Sequence, residues 1–219
     1  MITYWLADSL PKELLHKIEL STMPGAPQAT AGNNHKLQEI KRRKFIEESL
    51  DKGLGSCILQ SEKASEIIVK NWKHFDNERY DIIAYVVMPN HVHILIKVYE
   101  NISLSKIVWS WKSYTARRIF EIPELKEAYI KSYSGLNKLE LNSRAPNDRL
   151  KYIKPAVACG APRLNLWQRE FWDRFIRDEK HFKKAVEYIH MNPVTAGLVS
   201  KPEKWKFSSM KEFKDSTLN

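Results

Sequence analysis

The stretch "YDIIAYVVMPNHVHILIKV", residues Tyr80–Val98, holds two apolar, β-branched runs separated by Pro89-Asn90. It is the strongest strand signal in the chain, and the fold turns on how it is read. Proline cannot take the positive φ that tight primed hairpin turns require, so the two runs pair, if they pair at all, through a looser connection. Side chains alternate along a strand. Val92, Ile94, Ile96 and Val98 therefore share one face, which reads as a core face, and His91, His93, Leu95 and Lys97 share the other. Two neutral imidazoles on neighbouring same-face positions can hold one divalent transition cation. The spacing also arises in strands that bind nothing, and two ligands are too few, so a metal reading needs a donor from elsewhere in the chain.

Outward from that stretch, Ile2–Ala7 reads as a short strand, and the Pro-, Gly- and Asn-rich segment 21–34 as a mobile loop. A charged helix is expected from about His35 to Lys52, carrying "KRRK" at Lys41–Lys44 on a solvated face. Ser61 is a candidate N-cap for a helix to Phe75, whose buried stripe is Ala64, Ile67, Ile68, Trp72 and Phe75. Ser103 can cap a helix to about Phe120, with Leu104, Ile107, Val108, Trp111 and Thr115 inward. Lys106, Ser110, Ser113 and Arg117 then fall on its opposite face, with Trp109 at the edge. No acid lies between Ile102 and Phe120, while Lys106, Lys112, Arg117 and Arg118 do. Hydroxyls and cations on one helical face suit phosphate contacts, and they equally suit plain solvation.

From Pro123 to about Arg163 the periodicity fades, and residues 123–163 read as an insertion within a single domain spanning 1–219. "LWQREFWDRFIRD" (Leu166–Asp178) is an aromatic-rich strand candidate. A helix follows from about Lys180 to Asn192, burying Phe182, Ala185, Val186 and Ile189. Tyr188 and Asn192 sit four residues apart on a neighbouring edge and point the same way. Read by helix rules alone, Tyr188 is a half-buried aromatic, and Asn192, just before Pro193, is a C-terminal cap.

Bulk composition narrows the partners. Lysine and arginine number 36 against 26 acids, a formal net charge of +10. Such an excess concentrates polyanions, nucleic acid above all. The apolar runs are too short to span a bilayer. The N-terminus shows no secretory leader, and Cys57 and Cys159 form no disulfide framework, so a reducing, cytoplasmic setting is expected.

Four blocks carry a family resemblance: "AYVVMPNHVHIL", "SLSKIVWSWKSYTARRI", "LWQREFWDRFIRD" and "VEYIHMNPVTAGLV". In this order they are similar to successive blocks of the single-tyrosine HUH transposases, in the branch of REP-associated tyrosine transposases. "ITYWLADSLP", "LDKGLGSCIL" and "WKFSSMKEF" fit the same branch. The resemblance implies an α+β fold with a ferredoxin-like central antiparallel sheet. It also implies roles: His91 and His93 as ligands to Mg²⁺ or Mn²⁺, Asn192 completing the metal site, and Tyr188 as the nucleophile. Ligand chemistry by itself favours Mn²⁺, since Mg²⁺ prefers oxygen donors. The implied substrate is single-stranded hairpin DNA, cleaved through a covalent 5′-phosphotyrosine, with Lys106, Trp109, Ser110, Lys112, Ser113 and Arg117 as DNA contacts. A homodimer is compatible with this reading. The alternative is a binding protein on the same fold that holds hairpin DNA or RNA without turnover.

Overall fold

In the computed structural model, which describes residues 1–10, 31–142 and 164–216, four strands form one antiparallel sheet. The strands are β1 (Ile2–Trp5), β2 (Tyr80–Val87), β3 (His91–Val98) and β4 (Trp172–Asp173). The helices are α1 (Ala31–Asp51), α2 (Glu62–His74), α3 (Leu104–Phe120), α4 (Pro123–Asn142), α5 (Glu179–Thr195) and α6 (Met210–Ser216). The sheet order is β2-β3-β1-β4. Taken with the crossover helices α2 and α3, the path β1-α2-β2-β3-α3-β4 is the ferredoxin-like β-α-β-β-α-β arrangement. The expected α+β fold is therefore the observed one.

The two runs of Tyr80–Val98 do pair, with Val87 opposite Val92. Four residues, Met88–His91, turn the chain, and Met88 N–H donates to the His91 carbonyl at 2.9 Å. That is the looser connection Pro89 demands. A bulge between Ile82 and Ala84 shifts the register. Before it Tyr80 and Ile82 face the main core; after it Tyr85 and Val87 do, and Ala84 and Val86 pass to the other face. One extra residue thus swaps the parity of β2.

The main core lies between one face of the sheet and α2, α3 and α4. Ile2, Tyr4, Leu6, Val92 and Ile94 meet Ile68, Trp72, Ile107, Val108 and Trp111 there. Its aromatic rings bury their polar tips in pairs. Trp72 Nε1–H donates to Tyr4 Oη at 3.1 Å, Trp111 Nε1–H to Tyr80 Oη at 3.0 Å, and Tyr80 O–H to the Trp72 carbonyl at 2.7 Å. Each fully buried large side chain contributes roughly 1.5–3 kcal/mol, provided its polar atoms keep partners. On the opposite face α5 lays Ala185, Val186 and Ile189 over Ala84, Val86 and Leu95. Beside it α1 sets Ile46 and Leu50 against Trp5 and Leu10. The histidine face of β3 is therefore roofed by two helices rather than open to water.

Several expectations need correction. Residues 123–142 are helical, not part of a structureless insertion. Pro123 suits the first helical position, and Leu125 and Tyr129, four apart, are buried in the main core. Residues 143–163 lie outside the described residues. Ala31–Asn34 belong to α1 rather than to a loop, and residues 21–30 of that expected loop lie outside the described residues. Ser61 and Ser103 do occupy N-cap positions, but neither hydroxyl makes the capping bond. The Leu166–Asp178 strand shrinks to Trp172–Asp173, plus a bridge between Leu6 and Trp167. Helix α5 runs past Pro193 to Thr195, so Asn192 lies within it rather than capping its end.

Candidate active site

β3 sends His91 and His93 into the space between α1 and α5, where both are about 1 % exposed. Their Nε2 atoms face each other at 3.1 Å. α5 brings Asn192 to the same point, with Nδ2 at 3.3 Å from His93 Nε2 across 99 residues of chain. Tyr188, one turn earlier, sets its ring edge-on to His93 at a centroid distance of 5.3 Å. α1 contributes Asp51, whose Oδ1 is 3.9 Å from His91 Nε2. Strand, roof helix and flanking helix of one chain thus converge on two imidazole nitrogens.

The neighbours set the protonation of the pair. Asn90 Nδ2 donates to the carbonyls of Leu50 at 3.1 Å and Leu54 at 3.0 Å, which fixes the amide's orientation. Its Oδ1 therefore faces His91 Nδ1 at 2.7 Å, and an amide oxygen only accepts. His91 must carry its proton on Nδ1, leaving a lone pair on Nε2. His93 Nδ1 lies 2.8 Å from the Thr3 hydroxyl, which can donate or accept. His93 is thus free to give its Nε2 proton to His91, or to present a second lone pair with Thr3 accepting from Nδ1. Partners on the far ring nitrogen are what orient imidazoles for a metal.

Burial pulls the His91 imidazole well below its ordinary pKa, with the His93 charge adding to it. Burial and Arg174 take His93 down to about 3. Both rings are neutral near pH 7, the form that binds cations. Burial, then Glu47 and Asp51, push the Tyr188 phenol above the usual tyrosine range, while Arg174 and a hydrogen bond with Asn192 work against them. Burial lifts Asp51 to about 6 and also raises Glu47. Arg174 is a cation that acts on His93, Tyr188 and Glu47 alike.

Two buried oxygens, Asn192 Oδ1 and Asp51 Oδ1, lack any hydrogen-bond partner. Such orphaned acceptors beside lone-pair nitrogens fit a divalent cation. Among the described residues no three His, Cys, Asp or Glu side chains form a ready cage, so the histidines need oxygen from Asn192 or a closer Asp51. Thr3, Asn90 and Asp51 escaped the sequence reading. Thr3 left a faint signal, a polar residue between Ile2 and Tyr4 in a buried strand, whereas Asn90 read as a turn and Asp51 as a helix end.

The proposed DNA contacts lie elsewhere. α3 covers the main core, on the face of the sheet opposite the histidines. Lys106, Ser113 and Arg117 are exposed, Ser110 is half-buried, and Trp109 is 71 % exposed. Lys112 is turned inward, its ammonium donating to the carbonyls of Gln168, Arg169 and Glu170 at 2.5, 2.9 and 3.3 Å. A groove of about 700 Å³ runs between α3 and residues 164–171, rimmed by Trp109, Ser113, Arg117 and Arg169. Among the described residues no helix is long and apolar enough to cross a membrane.

Residues 39–134 match the transposase family described as IS200 like, a span that holds the histidine pair but stops short of Tyr188. A Haemophilus influenzae protein named "Putative REP-associated tyrosine transposase" is 26 % identical over 130 residues, 59 % of this chain and 58 % of that protein. The Escherichia coli K12 REP-associated tyrosine transposase is 42 % identical over 52 residues, 24 % of this chain and 30 % of its own. The matches thus span less than two thirds of these relatives. A solved structure of a REP-associated tyrosine transposase bound to a REP hairpin aligns over 70 % of this chain and 66 % of its own, at 23 % identity and a TM-score of 0.39.

Proposed function

Similar over residues 39–134 to the IS200-like transposases, and more widely to REP-associated tyrosine transposases, the chain acts, we propose, as a metal-dependent DNA strand transferase. Its substrate is single-stranded hairpin DNA of the repeat class for which those relatives are named. The observation that carries the reading is convergence: His91, His93, Asn192 and Tyr188 meet between α1 and α5 although β3 and α5 are far apart in sequence.

In this reading Tyr188 Oη attacks the scissile phosphorus. The new bond joins the DNA 5′-phosphate to the tyrosine as the bond to the 3′ oxygen breaks. The phenol gives up one proton and the leaving 3′ oxygen gains one. The phosphotyrosine keeps the energy of the phosphodiester, so a DNA hydroxyl can reverse the step without a nucleotide cofactor. His91, His93 and Asn192 hold the divalent cation, and the two imidazoles favour Mn²⁺ over Mg²⁺. When bound, that cation draws charge from a phosphate oxygen and offsets the carboxylates that hold the Tyr188 proton in place. Asn192 stands one turn from Tyr188 on the same edge of α5, where it can orient the phenol. The residues read as nucleophile and metal ligands meet at one point within this chain.

The test is a denaturing gel with 3′-labelled hairpin DNA and Mn²⁺. The wild type yields a covalent protein–DNA band, and Tyr188→Phe loses it while retaining hairpin affinity. A Tyr188→Phe band at wild-type yield would falsify the assignment of the nucleophile.

A further inference from the structure

We propose that Asp51, the last residue of α1, completes the cation site as its anionic oxygen ligand, beside His91, His93 and Asn192. The inference rests on the reading that this site takes a divalent cation.

Asp51 is oddly placed for any local purpose. A carboxylate at a helix C-terminus faces the negative end of the helix dipole, and the last turn of α1 holds no basic residue to offset it. Its Oδ1 is buried and accepts no hydrogen bond. Yet the carboxylate is aimed at the one ring nitrogen whose lone pair is fixed. Asn90 locks the His91 proton onto Nδ1, and the same amide grips the carbonyls of Leu50 and Leu54 on either side of Asp51. One buried side chain therefore prepares His91 Nε2 as a donor and fixes the end of α1 beside it.

The separations suit a shared ion. Donors each about 2.1 Å from one cation, at angles of about 90–135°, lie roughly 3.0–3.9 Å apart. The His91–His93 nitrogens are 3.1 Å apart and Asp51 Oδ1 is 3.9 Å from His91 Nε2, while the Asn192 atom 3.3 Å from His93 is the amide nitrogen, so that amide has to turn to present Oδ1. Asp51 sits at the wide end of the range, and because Asp51, His91 and His93 do not form a ready cage as placed, its carboxylate has to move inward to close the set. Charge supplies the last argument. Two neutral imidazoles and an amide bring no formal charge, and a poor seat for a hard ion. A carboxylate gives the set two nitrogens, two oxygens and one negative charge, which makes Mg²⁺ acceptable as well as Mn²⁺.

Calorimetric titration of the full chain with Mn²⁺ and Mg²⁺ is the direct test. Asp51→Asn is expected to weaken Mn²⁺ by about tenfold or more, and Mg²⁺ more steeply. His91→Ala/His93→Ala serves as the control that removes the site. Unchanged affinity in a folded Asp51→Asn, with binding lost in the double histidine variant, overturns the role of Asp51 and leaves the metal reading standing. Absence of stoichiometric binding by wild type overturns both. Should Asp51→Asn fail to fold by circular dichroism, electron–nuclear double resonance on Mn²⁺-loaded wild type decides. Nitrogen coupling reports the histidines, and ¹³C coupling from aspartate-labelled protein reports Asp51. Nitrogen coupling without ¹³C coupling rejects the proposal.

Discussion

At the scale of single residues, the site depends on which groups can lose or hold a proton. His91 and His93 stay neutral in the fold because burial excludes their charged forms. An unfolded chain has no such restraint and protonates both below about pH 6.5. In chelator-treated protein the unfolded state therefore binds more protons than the native one, and stability falls as pH drops from about 6.5 toward the His93 value of about 3. Asp51 works the other way. Lifted to about 6, it takes up a proton in the native state first, so it returns part of that loss between about 6 and its unfolded value near 4. Denaturant titrations at stepped pH should show a net decline in the wild type and a flatter profile in His91→Gln/His93→Gln. Equal slopes in the two proteins would sink this account.

At the scale of elements, α5 is the part on which geometry depends most. Its inner stripe anchors it to β2 and β3, and the next edge of the cylinder carries Tyr188 and Asn192 inward at a spacing of four. Ile189, fully buried between them in sequence, is the keystone of that contact. Ile189→Ala should cost about 2–5 kcal/mol of stability by leaving a cavity. Because the roof loosens over the histidines, Mn²⁺ affinity should drop as well, although no ligand is touched. Chemical denaturation and metal titration check both halves. A stable variant with wild-type affinity would show that α5 is held by something other than this stripe. The connection from α1 to α2 is similarly constrained. Gly55 has φ +87°, and a Cβ there would meet the Asp8 carbonyl oxygen at 2.5 Å, so only glycine lets the chain leave α1 at that angle.

At the scale of the whole molecule, the sheet separates two surfaces. The proposed chemistry lies under α1 and α5, and the exposed cations of α3 lie across the sheet from it. Lys106 and Arg117 can therefore hold DNA without touching the scissile bond. Lys106→Ala/Arg117→Ala should weaken hairpin binding by a similar factor for every sequence and lower the salt slope by about 1–2. Fluorescence anisotropy across ionic strength measures both, and an unchanged slope would place the phosphate contacts elsewhere. The net charge of +10 carries this same non-specific attraction over the whole surface.

Much of this was legible in the amino-acid order, and for a local reason. Alternation in Tyr80–Val98 and the stripes of α2, α3 and α5 are periodic, and burial of one face follows from period alone. The histidines and the Tyr188–Asn192 pair could be nominated in that way. Helix α4 could not, because over residues 123–133 its buried edge is narrow and its other residues are polar and mixed. What the tertiary structure decided is everything that needs two distant segments at once. It inserted a bulge that swaps the faces of β2, and it carried Asn192 past its expected capping role to His93. It also brought Asp51 and Thr3 to the imidazoles. None of these residues carries a local signature of that role, since a lone pair, an orphaned oxygen and a half-buried carboxylate acquire meaning only from the groups that close packing sets beside them.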